Sequence, residues 1–285
     1  MSNIQKRLLF FFFAFPALVS VILFFPFGHY AVINAIACIA MGLAAIEVSN
    51  IFKNRGIILS KTVVFILGSV PAILTYLHIL QVVTGKYLQI FYSLAALFLL
   101  ASEVFHSKEE HFQGVLSRLS AYFFIMLYPG LFGLHIVRIT ELPNAGIVFM
   151  IFVAATYLND SFAWLTGVLW GKSTRNFLTV SPNKSLVGFI FGFVASILVV
   201  CSAALFLSTY FPLTLPAAAL LGAVLGISTI LGDLSESALK RSGGVKDSGN
   251  LIPGRGGLLD SIDSPLFSAP VFFYLLAYLS GWPGL

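Results

Sequence analysis

Apolar runs follow one another along the chain with short polar breaks, at Leu8 to Pro26, Tyr30 to Ile51, Thr62 to Val83, Leu88 to Phe105, Leu119 to Val137, Ala145 to Trp170, Leu186 to Phe211, Pro216 to Leu234 and Pro265 to Leu279. Crossing about 30 Å of hydrocarbon takes roughly 20 helical residues, and each run has that length or approaches it with tilt. None alternates with the period of two expected of a barrel strand, so helices are expected throughout. The pattern predicts an all-α polytopic membrane protein with about nine transmembrane helices. Lys6 and Arg7 ahead of the first run resemble the start of a signal peptide. No small-residue cleavage pattern follows and more spans do, so that run is expected to stay as the first membrane helix.

Composition excludes a soluble fold: 59% of residues are hydrophobic, 9% are charged and the mean hydropathy is +0.98, whereas a soluble domain is roughly a quarter charged. The net charge of +5 is spread over short loops and not gathered into one patch, which points to anionic lipid and phosphate and away from nucleic acid. With the N-terminus in the cytoplasm, 14 of the 16 Lys and Arg fall on the inner side and only Lys86 and Arg138 outside. That asymmetry predicts a cytoplasmic N-terminus and a C-terminus on the opposite side. Cys38 and Cys201 lie within apolar runs and are expected to pack as small hydrophobes, with no disulfide framework and no zinc site. Residues 1–140 are expected to form an N-terminal set of about five spans. Residues 141–285 are expected to form the catalytic region.

The chemistry concentrates in the polar segment from Gly232 to Ser264. If the eighth span continues as a helix past Asp233, then Asp233, Ser237 and Lys240 share one face at i, i+4 and i+7. Lys240 and Arg241 also suit a cytoplasmic helix end, favourable to the helix dipole and to lipid headgroups. Lys246-Asp247 follows, then Pro253-Gly254-Arg255-Gly256-Gly257, Asp260 and Asp263. Glycines in such a turn let backbone approach a ligand and point N–H groups at phosphate oxygens. Asp260, returning to the membrane surface beside Asp233, would complete a pair of hard oxygen ligands suited to Mg²⁺, which takes its remaining ligands from water and substrate phosphates. Asp263, one turn later, is expected either to join them or to cap a final helix starting near Pro265.

Ser237, Lys240-Arg241, Lys246-Asp247, Pro253-Gly254, Gly256-Gly257, Asp260 and Asp263 together resemble the signature of phosphatidate cytidylyltransferases, also called CDP-diacylglycerol synthases. An earlier block is similar to that family too: Asp160-Ser161, Gly167, Gly171-Lys172, then Ser181-Pro182-Asn183-Lys184-Ser185 and Gly188. The resemblance covers roughly the C-terminal half. Arg255 replaces a histidine common in the glycine loop, and Ser261 stands where an arginine commonly follows the aspartate. The family likeness implies a bacterial inner-membrane enzyme with a cytoplasm-facing active site, which joins CTP to phosphatidate and releases pyrophosphate. It implies Mg²⁺ on Asp233 and Asp260, with a second cation compatible. Lys240, Arg241, Lys246 and Arg255 would orient triphosphate and headgroup. Asp160, Lys184, Ser237, Asp247, Gly254, Gly256, Gly257 and Asp263 would contact substrate. The expected partners are CTP, phosphatidate and the bilayer, with a homodimer left open.

Besides Asp233, three acids fall inside apolar runs. Asp160 is a functional candidate by its depth, as a cation ligand or nucleotide contact. Glu47 and Glu103, near the cytoplasmic ends of their spans, are expected to pair with basic groups. His106 and His111 show no convincing metal spacing. A secondary transporter would account for the buried acids and leave the segment from Gly232 to Asp263 unexplained; a polyprenol kinase or an archaeal-type lipid cytidylyltransferase is the nearer rival.

Overall fold

In hydrocarbon every backbone N–H and C=O must be satisfied within its own segment, and helices meet that demand. The computed structural model describes residues 16–106, 109–252, 254 and 256–282. Among these residues eight helices are long and apolar enough to cross a membrane. They correspond to the second through ninth predicted runs. Residues 16–24 are helical, and the rest of the first run lies outside the described residues. Among the described residues no strand forms; the backbone makes two isolated bridges, Arg175 with Ser185 and Ile252 with Gly256. The chain is an all-α, multi-pass membrane protein.

The helices are α1 (Phe27–Lys53), α2 (Lys61–Ile79), α3 (Tyr87–His106), α4 (Val115–Ile125), α5 (Gly133–Arg138), α6 (Ala145–Leu169), α7 (Leu186–Phe206), α8 (Leu215–Ser242) and α9 (Leu259–Ser280). Between α4 and α5 the chain winds as a π-helical turn, Met126–Phe132, containing Pro129. Proline has no N–H to close the α-helical ladder, and the wider turn accommodates the gap. The helices fall into two units. The first holds Met1–Arg138 and Ser242–Ser261, the second Ile139–Arg241 and Ile262–Leu285.

In the first unit, small residues let α1, α2 and the π turn approach closely. A Cβ on Gly68 would lie 2.6 Å from the Met41 carbonyl oxygen, and one on Gly130 2.6 Å from that of Leu67. Helices in lipid associate through such packing, because lipid tails supply no hydrophobic drive between them. Glu103 of α3 takes two hydrogen bonds from Arg118 Nε, at 3.0 and 3.2 Å, the basic partner expected for it.

In the second unit, glycines on α7 and α8 do the same. A Cβ on Gly188 would sit 2.5 Å from the Ala163 carbonyl oxygen, one on Gly192 2.8 Å from that of Asn159, and one on Gly222 2.7 Å from Ile197 Cα. Buried polar side chains cross-link the packed helices. Asn159 Nδ2 donates to Ser196 Oγ at 2.9 Å and to the Gly226 carbonyl at 3.3 Å, and Ser196 Oγ donates to the Ala155 carbonyl at 3.0 Å.

Two helix ends bear on the site. Helix α8 continues beyond Asp233 to Ser242, as expected. Helix α9 begins at Leu259 and carries Pro265 and Pro270 inside it, so it starts a turn and a half earlier than the prolines suggest. Because Gly222 faces backbone atoms, which cannot swing aside, Gly222→Ala is expected to lower unfolding stability by about 1–3 kcal/mol. Denaturant unfolding in detergent measures it; an unchanged midpoint would show the contact to be slack.

Candidate active site

A cavity of about 390 Å³ opens within the second unit, with Asp160, Asp233, Lys184, Arg175, Asn183 and Trp164 in its wall. Asp160 comes from α6, Asp233 from α8, and the basic residues from the segment between α6 and α7. That segment is held in place by Ser185, whose side chain caps α7 by accepting from Gly188 N at 3.1 Å. Gly171 packs against the same serine: a Cβ there would lie 2.3 Å from its Oγ. The Gly171 and Ser185 positions of the earlier block therefore set the loop that presents Lys184 and Arg175.

Charge in this unit is uneven. The Lys184 ammonium forms an ion pair with the Asp233 carboxylate. Asp160 feels Asp233, Asp263 and Lys184, and accepts a hydrogen bond from Ser264 Oγ at 3.4 Å. Asp263 on α9 is 7% exposed; it accepts from Ser264 N at 2.7 Å and lies in the field of Asp233, Lys240 and Lys184. Lys240 is ion-paired to Glu236, one turn earlier on α8 and fully buried. Four carboxylates thus interact with two ammonium groups. The hard carboxylate oxygens of Asp160 and Asp233 in the wall of this cavity fit Mg²⁺ bound through one or two protein ligands. Among the described residues no group of three or more His, Cys, Asp or Glu is close enough to hold an ion by itself. Asp263 sits inside α9, so of the two roles expected for it the helix cap is excluded by the earlier helix start.

In the first unit Ile252 and Gly256 pair with each other across the glycine loop. Ile252 N donates to the Gly256 carbonyl at 2.8 Å, and Gly256 N to the Ile252 carbonyl at 3.1 Å. Gly254 and Gly256 have φ of 82° and 107°, a left-handed backbone that strains any residue with a Cβ. Asp260 lies just after the loop in the first turn of α9. Its Oδ2 accepts from Ser248 N at 2.9 Å, Ser248 Oγ at 2.9 Å and Gly257 N at 2.7 Å. Lys246 and Asp247 are exposed on the approach to this loop. Arg255 and Pro253 lie outside the described residues. Ser237 is half-buried on α8 and Arg241 exposed near its end. The structure gathers Asp160, Asp233, Asp263, Lys184 and Lys240 in the second unit. Lys246, Asp247, Gly254, Gly256, Gly257 and Asp260 belong to the first.

Residues 5–279 match the model of the cytidylyltransferase family. The chain belongs to that family. It is 39% identical over 138 residues to a phosphatidate cytidylyltransferase of Synechocystis, covering 48% of this chain and 45% of the relative. It is 34% identical over 157 residues to one of Aquifex aeolicus, covering 54% and 55%. An uncharacterized Escherichia coli protein, YnbB, is 41% identical over 143 residues, covering 49% and 45%. The matched stretches span about half the length of these curated relatives.

Within this cytidylyltransferase fold the structure adds residues that the sequence pattern did not single out. Arg175 counted only as a positive-inside charge, yet it lines the cavity, donates from Nη2 to the Gly167 carbonyl at 3.3 Å, and has a buried Nε with no hydrogen-bond partner among the described residues. Nothing in its spacing distinguishes it from a loop anchor. Glu236 had a visible signal, the i, i+4 relation to Lys240. Glu47 was expected to meet a basic group; its hydrogen bonds come instead from neutral donors, Ser248 Oγ and the Leu258 and Leu259 amides. Removing one partner of a buried ion pair strands the other charge. Lys240→Met is therefore expected to lower unfolding stability by about 3–5 kcal/mol. Glu236→Gln added to it should restore most of the loss, measured by unfolding in detergent; a single variant as stable as the parent would contradict the buried pairing.

Proposed function

We propose that the chain is a phosphatidate cytidylyltransferase: an oxygen of the phosphatidate phosphate attacks the α-phosphorus of CTP, the bond from that phosphorus to the β-phosphate's bridging oxygen breaks, and CDP-diacylglycerol and pyrophosphate leave. The observation that carries this reading is the cavity of the second unit, where Asp160, Asp233 and Lys184 of the two family-like blocks stand in one wall. The names of the Synechocystis and Aquifex relatives supply the substrate class.

Both reactants are polyanions, so the chain must lower their mutual repulsion. Mg²⁺, when bound, neutralises charge on the attacking and leaving oxygens. The carboxylates assigned to it from the sequence are Asp233 and Asp260; Asp160 and Asp263 add hard donors in the neighbourhood of Asp233. Lys184 and Arg175 offer fixed cationic donors at the cavity, and charge-assisted hydrogen bonds of this kind suit phosphate oxygens. Lys246 and Arg241, both exposed, are assigned to steering the triphosphate and the headgroup. No nucleophilic side chain is required, because the lipid phosphate is the nucleophile. The distribution of basic residues supports a cytoplasm-facing site with the N-terminus inside.

Purified protein in detergent, given labelled CTP, phosphatidate and Mg²⁺, is expected to yield lipid-soluble label and pyrophosphate. Release of CDP in place of pyrophosphate would identify a kinase and defeat the proposal. Asp233→Asn and Asp260→Asn are each expected to lower turnover about 100-fold or more. Arg175→Ala is expected to raise the KM for CTP or phosphatidate by roughly tenfold.

A further inference from the structure

Glu47 stands on α1, 201 positions before the serine it binds. Its side chain is buried, with the residue 7% exposed. Both carboxylate oxygens are engaged: Oε1 accepts from Leu258 N at 2.9 Å, and Oε2 from Leu259 N at 2.7 Å and Ser248 Oγ at 3.1 Å. The two amides open α9, where the first N–H groups have no partner within the helix. An acid from a distant helix thus caps α9 and grips the loop before it.

The loop is shaped to admit this carboxylate. A Cβ on Gly249 would lie 2.7 Å from Glu47 Oε1, and one on Gly257 would lie 2.5 Å from Oε2. The Ser248 hydroxyl lies 3.1 Å from Glu47 Oε2 and 2.9 Å from Asp260 Oδ2. A hydroxyl carries one hydrogen, so the two carboxylates share it or compete for it, and the setting of one is tied to the other. Asp260 also accepts from Gly257 N, whose α-carbon faces Glu47. Each of these donors to Asp260 therefore belongs to, or neighbours, a residue that donates to Glu47.

We infer that Glu47 is a positioning residue for the reaction: it holds the loop from Ser248 to Leu259 and, through Ser248, the Asp260 carboxylate in working geometry. This inference rests on the cytidylyl-transfer reading above. Glu47→Gln preserves size and replaces one acceptor oxygen by an amide that meets N–H donors head-on. In that variant, amide hydrogen exchange across residues 248–259 is expected to quicken about tenfold or more, and kcat to fall about 10- to 100-fold. Exchange in the helices of the second unit should be unchanged, and the Mg²⁺ concentration for half-maximal rate should rise. Ser248→Ala, which deletes only the shared hydroxyl, should reproduce the pattern at smaller amplitude and covers the case in which Glu47→Gln fails to fold. Unchanged exchange in this loop, or faster exchange with parental kcat and Mg²⁺ dependence, would overturn the inference. A parent protein that makes no CDP-lipid would defeat the cytidylyltransferase reading instead, and the exchange measurement would still decide whether Glu47 holds the loop.

Discussion

A carboxylate inside an apolar helical bundle must be matched by cations or by several hydrogen-bond donors, since an unmatched charge there costs several kcal/mol. This chain meets the constraint in three ways. Glu103 has Arg118, and Glu236 has Lys240, each acid with a dedicated cation. Glu47 has three neutral donors converging on its two oxygens. The acids of the second-unit site are treated differently, since Asp233, Asp160 and Asp263 draw on Lys184 and on a Lys240 already committed to Glu236. The matched acids stabilise structure. Of the undermatched ones, Asp160 and Asp233 stand in the wall of the cavity on which the proposed function rests.

Glycine serves two separate ends. On α7 and α8 it shortens helix separation, as where a Cβ on Gly222 would meet Ile197 Cα at 2.7 Å. In the glycine loop of the first unit it permits left-handed backbone at Gly254 and Gly256 and leaves room for carboxylates at Gly249 and Gly257. The same residue type thus has a packing role where hydropathy is high and a chemical one where it falls.

The membrane architecture was legible because spans are set by hydrophobic length, a property of consecutive residues. The extension of α8 past Asp233 was legible for a similar reason, as no breaker intervenes before Gly243. The start of α9 was not. Pro265 suggested a first turn, but the N–H groups at the actual start of the helix find an acceptor in Glu47, which lies on a helix far back in the chain. Asp160 stood out by its depth in an apolar run, Lys184 by its place in a family-like block, and the acids and lysines of the polar segment by their density there. Arg175 and Glu47 did not, since what sets each apart is its neighbours in space. For Glu47, residue type and position suggested a basic partner; only the fold reveals that amides and a hydroxyl stand there.

The polar segment between α8 and α9 would lose much by being free, because ordering each residue of a loop costs about 1–2 kcal/mol in backbone entropy. Apolar contacts could offset that cost without fixing where any atom sits, as burial is not directional. Hydrogen bonds to carboxylates are directional and confined to a narrow range of distance. Five donors on Ser248, Gly257, Leu258 and Leu259 meet the oxygens of Glu47 and Asp260 at 2.7–3.1 Å. A loop held in this way keeps the Asp260 carboxylate at a defined position while leaving Lys246 and Asp247 exposed to solvent.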